Sequence, residues 1–83
     1  MNGQDILFAR FARHQQLVRT LLVSDPDFAS ICSDFCMACD AEAHWRESSD
    51  GNLKRASEYA ALADEIGTEI AAILRKHLDG FHS

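Results

Sequence analysis

Pro26 is the only proline in 83 residues, and only four glycines accompany it. A chain with so few turn-formers reads as long helices and disfavours a many-turned β fold. The proline sits in "VSDPDF", which both stops and restarts the chain. Asp25 is a good N-cap. Pro26 fits the first helical position, where its missing N–H costs nothing, and Asp27 suits the positive end of the helix dipole. A second break is "SSDGN" at 48–52. There Gly51 reads as the residue after a helix end, and Asp50 or Asn52 as the cap of the next. Three helices are therefore expected, over about residues 4–23, 26–48 and 52–79, the last closed by Gly80 in "LDGF".

The apolar patterns agree with helices. Leu7, Phe11, His14, Val18 and Leu21 follow one another in steps of four and three. The second helix carries Phe28, Ile31/Cys32, Phe35, Cys39 and Trp45, with Ala38 and Glu42 at the edge. The third has an unusually wide apolar arc, including Tyr59, Leu62, Ile66, Ile70, Ile73 and Leu74. One edge of that arc is small (Ala56, Ala60, Ala63, Gly67, Ala71), which permits close approach of another helix. At 1.5 Å per residue the third helix is about 42 Å long against about 30 Å for the first. A single chain would leave part of its apolar surface uncovered. The expected fold is a single all-α domain over residues 1–83. It is an antiparallel helical hairpin or three-helix bundle, completed by homodimerisation.

Charge narrows the classes of partner. The net charge is −5. Residues 1–24 are net basic through Arg10, Arg13 and Arg19 against Asp5, and residues 25–50 set seven acids against Arg46. A basic first segment beside an acidic second one suits an antiparallel hairpin. Phosphate binding needs clustered Lys and Arg, so no nucleic-acid partner is expected. No apolar run approaches the roughly 20 residues of a membrane span, and "MNGQDILFAR" lacks the basic and apolar regions of a signal peptide. Three cysteines without such a signal are expected to be reduced thiols in the cytoplasm.

Those cysteines lie in "CSDFCMACDAEAHW". On a helix Cys32, Cys36 and Cys39 share the arc of Phe28 and Phe35, so they read first as small buried hydrophobes. A thiolate site for Zn or Cu(I) is the alternative. Cys32 and Cys39 are about 10.5 Å apart along a helix axis. Two sulfurs on one Zn²⁺ sit at most about 4.6 Å apart, so one helix supplies only a pair. In a straight hairpin His14 falls opposite Cys36 and is the candidate third ligand. A third reading is a redox-responsive regulator using "CMAC". Cys36 lies too deep in the helix for the dipole to favour a thiolate, and Asp34 and Asp40 oppose one.

No catalytic signature is present: there is no HExxH, P-loop, GxGxxG or GxSxG. The chain is therefore expected not to be an enzyme and to need no cofactor. Asp40, Glu42 and His44 read as a solvated face. Trp45 and Tyr59 flank the "SSDGN" turn and are placed to pack together there. With Ile66, Ile70 and Ile73 they form the expected interface, either with a second copy or with another protein.

The run from Leu17 to Leu74 resembles a group of short bacterial helical-hairpin proteins with a DPxFxx[LI]C…W…EY pattern and no assigned activity. The matching positions are Asp25, Pro26, Phe28, Ile31, Cys32, Phe35, Trp45, Glu58 and Tyr59. Cys36 and Cys39 lie outside the pattern. The resemblance implies a helical hairpin and carries over no catalytic residues.

Overall fold

A computed structural model describes residues 2–48 and 52–80. Four α-helices follow in order: α1 (Gly3–Arg10), α2 (Gln15–Ser24), α3 (Pro26–Glu47) and α4 (Leu53–Gly80). A short 3₁₀ turn, Ala12–His14, separates α1 from α2. Among the described residues there is no strand. The expectations for Asp50 and Gly51 lie outside the described residues.

The caps read from the sequence are in place. The Asp25 side chain accepts from the N–H groups of Asp27 (3.1 Å) and Phe28 (3.2 Å), with Pro26 opening α3. Asn52 accepts from the Arg55 N–H at 3.1 Å and so caps α4. At the other end of the chain, Asn2 and Asp5 form a reciprocal capping box at the start of α1.

The single first helix is corrected. It breaks at Phe11–His14, where both residues leave helical geometry (φ −112°, ψ 39° and φ −128°, ψ 29°). Neither proline nor glycine causes the break. In a straight helix Leu7 and Leu22 would stand about 22 Å apart. Here they line the same groove on α3, with Arg19 over the Phe8 ring at 4.8 Å. The bend lets both short helices cover α3. It buries Val18 completely and leaves Leu7, Phe11 and Leu21 less than a tenth exposed.

α3 and α4 form the long antiparallel hairpin, and α1 and α2 lie on one side of it. The core runs through Leu7, Val18, Phe28, Phe35, Ile70 and Leu74, with Cys32, Ala38, Cys39 and Ala63 filling between them. One residue of the small edge of α4, Gly67, makes room for the Arg10 side chain of α1. A Cβ on Gly67 would come within 2.5 Å of the Arg10 guanidinium carbon. Arg10 reaches past Gly67 to pair with Asp64 at 3.1 Å. The basic first segment thus finds an acid on α4. The resulting molecule is elongated, 51 × 21 × 18 Å.

Candidate functional site

Because α1 and α2 cover only one side of the hairpin, α3 and α4 present an open seam on the other. Asp34, Met37, Ala38 and Ala41 of α3 face Tyr59, Leu62 and Ile66 of α4 across a groove of about 400 Å³. Met37 is 63% exposed and Leu62 43%, although both are large apolar side chains. A second groove of about 530 Å³ opens nearer the α2–α3 corner, between Ile31 and Ile73, with Asp27, Lys76 and His77 at its rim. Such a seam offers apolar contact along two helices and few polar groups to direct chemistry.

The expected interface residues divide. Tyr59, Ile66 and Ile73 are half-buried and line the two grooves. Ile70 is a correction: it is wholly buried among the core residues and reaches no outer surface. Its position on α4 points between α3 and the α1–α2 layer, so the core already uses it. Trp45 lies at the turn end with the Arg55 guanidinium 4.8 Å above its ring and His44 against its edge. Arg55 is the partner that the aromatic reading of this end missed.

The cysteine face points into the other side. Cys32 and Cys39 are buried and Cys36 is half-buried; all three are free thiols. Burial pushes the Cys32 thiol up to about 11, with Cys36 adding to the effect. Burial likewise raises Cys36, with Asp40 beside it, and raises Cys39, with Cys36 and the nearby carboxylates adding. These surroundings favour the protonated thiol, whereas metal ligation and nucleophilic attack need the thiolate. His14 does not lie opposite Cys36. The bend at Phe11–His14 carries it to a groove with Leu74, Arg75 and Leu78 of α4. Among the described residues no group of three or more His, Cys, Asp and Glu side chains comes together in a way that holds a metal ion.

Asp40 is more than part of a solvated face. Its carboxylate accepts from the Gly3 N–H at 2.7 Å and so closes the start of α1 onto α3. Its neighbour Glu42 pairs along the helix with Arg46. No described helix is long and apolar enough to cross a membrane.

The described residues thus form an all-α fold of four helices with an apolar groove along the outer seam of its long hairpin. No family model, curated protein or solved structure matches the chain.

Proposed function

We propose that this chain is a non-enzymatic helical association module, and that the outer α3–α4 seam takes an apolar helical surface, first that of a second copy. The observation that carries this reading is the exposure of Met37 and Leu62 around one continuous apolar groove. A solvated seam of this kind loses the free energy of burying Leu62, Met37 and Ile66, of order 25 cal/mol per Å². Association recovers it. Reduced, protonated thiols within the opposite layer suit a cytoplasmic setting.

Sedimentation velocity tests this reading with two variants. Leu62→Asp is expected to convert the associated species to monomer, because a charge then lies in the centre of the seam. Val23→Asp is the control: Val23 is 89% exposed but lies on α2, away from the seam. Equal association by the wild type and Leu62→Asp would overturn the proposal.

A further inference from the structure

The α4 side of the seam carries its own instruction for how a second copy docks. Arg55, Leu62 and Glu69 recur at intervals of seven residues. Seven residues are nearly two helical turns, so the three lie along one stripe of α4. Arg55 and Glu69 are both exposed at the surface, and Leu62 stands midway between them. The stripe is positive, apolar and negative, and symmetric about Leu62.

Resting on the association reading above, we infer that two copies pair through this seam with a two-fold axis at Leu62, perpendicular to α4. The two α4 helices then run antiparallel, and Arg55 of each copy meets Glu69 of the other. A two-fold contact is self-complementary, so the same pair occurs twice. The opposite arrangement, with both hairpins pointing the same way, sets Arg55 against Arg55 and Glu69 against Glu69. Like charges at equivalent positions disfavour it.

The flanking charges are mixed. Lys54 and exposed Glu58 both stand beside Arg55, Arg46 is paired within α3 to Glu42, and Asp27, Asp34 and Arg75 stand towards the other end. The polarity therefore rests on the Arg55–Glu69 pair. Lys76 continues the same seven-residue register one step past Glu69, outside the Arg55–Glu69 span that the two antiparallel helices share. Between the ends the antiparallel pairing brings Tyr59, Leu62 and Ile66 of each copy together. Small Ala38 and Ala41 on α3 leave room beside them. The product is a four-helix layer made from two hairpins, with α1 and α2 of each copy on the outside.

The test is a charge swap read by sedimentation equilibrium of the full chain under reducing conditions. Arg55→Glu and Glu69→Arg are each expected to weaken the dimer roughly tenfold, because each turns two attractions into two repulsions. The double variant is expected to return close to the wild-type affinity. It still lacks the Arg55 stack on Trp45, so its recovery reports the pair with Glu69. Circular dichroism of each variant establishes that it remains helical. A wild-type dimer that the single changes leave intact, or that the double change fails to restore, overturns the antiparallel docking while leaving the association reading standing. A wild type that stays monomeric overturns both.

Discussion

Gly3 of α1 lies directly against the main chain of Cys36 on α3: a Cβ at Gly3 would stand 2.7 Å from the Cys36 Cα and closer still to its carbonyl oxygen. The atoms it would meet are backbone, and backbone in the middle of a helix does not move aside cheaply. One residue without a side chain therefore sets how closely α1 approaches the cysteine helix. The Gly3 N–H then reaches Asp40, one turn further along α3.

Gly3→Ala is predicted to destabilise the fold by about 1–3 kcal/mol, the range for overpacking a tight contact. Urea denaturation measures it directly. Unchanged stability would mean that α1 does not dock on α3 in this way.

Asp40→Asn keeps the shape of the side chain but removes the charge that faces the start of α1. The predicted loss is about 1 kcal/mol, from a charge-assisted hydrogen bond and a helix-dipole contact. The two changes act on one contact, so Gly3→Ala combined with Asp40→Asn is predicted to cost less than the sum of the two. Full additivity in a double-mutant cycle would separate the two residues.

Ile70 and Ile66 stand one turn apart on α4, yet they are predicted to answer different assays. Ile70→Ala removes a fully buried side chain and is expected to cost about 2–5 kcal/mol of stability. Ile66→Ala lies on the seam and is expected to weaken association more than it lowers the unfolding free energy of the monomer. Comparing urea midpoints with dimer affinity separates the two roles.

The buried Cys32 thiol makes stability depend on pH. Its folded-state value is near 11, above the ordinary 9.0. Below pH 9 both folded and unfolded chains keep the proton, and the thiol adds no pH dependence. Between about 9 and 11 the unfolded chain loses its proton first, so stability falls as pH rises, by about 2 kcal/mol from this group. Cys32→Ala is predicted to reduce the fall measured between pH 8 and 10.5. An identical fall in that variant would contradict the assignment.

How much of this was legible in the sequence depends on whether the cause was local. Asp25, Pro26 and Asn52 act within their own turns, and the caps they predict are present. The burial of Phe28, Cys32, Phe35 and Cys39 follows from one stripe on one helix. The break at Phe11–His14 has no local cause, because its residues are compatible with a continuous helix. It follows from burying Val18 and Leu21 beside Leu7 on α3, a tertiary gain that periodicity cannot register. The misplacement of His14 follows from the same bend. Ile70 was misassigned for a related reason. The arc of α4 is wide enough to serve two faces, and only the position of α1 and α2 decides which face is covered. Gly3 and Asp40 are 37 residues apart, and neither belongs to a pattern that marks it as a contact.

The most direct test of the central claim is sedimentation equilibrium of the wild-type chain across a range of concentrations, with reductant present to exclude disulfide-linked species. The account predicts a reversible shift from the 9.3 kDa monomer to twice that mass as concentration rises. A constant monomer mass into the high-micromolar range would contradict it, and the apolar seam between α3 and α4 would then lose its proposed role in self-association.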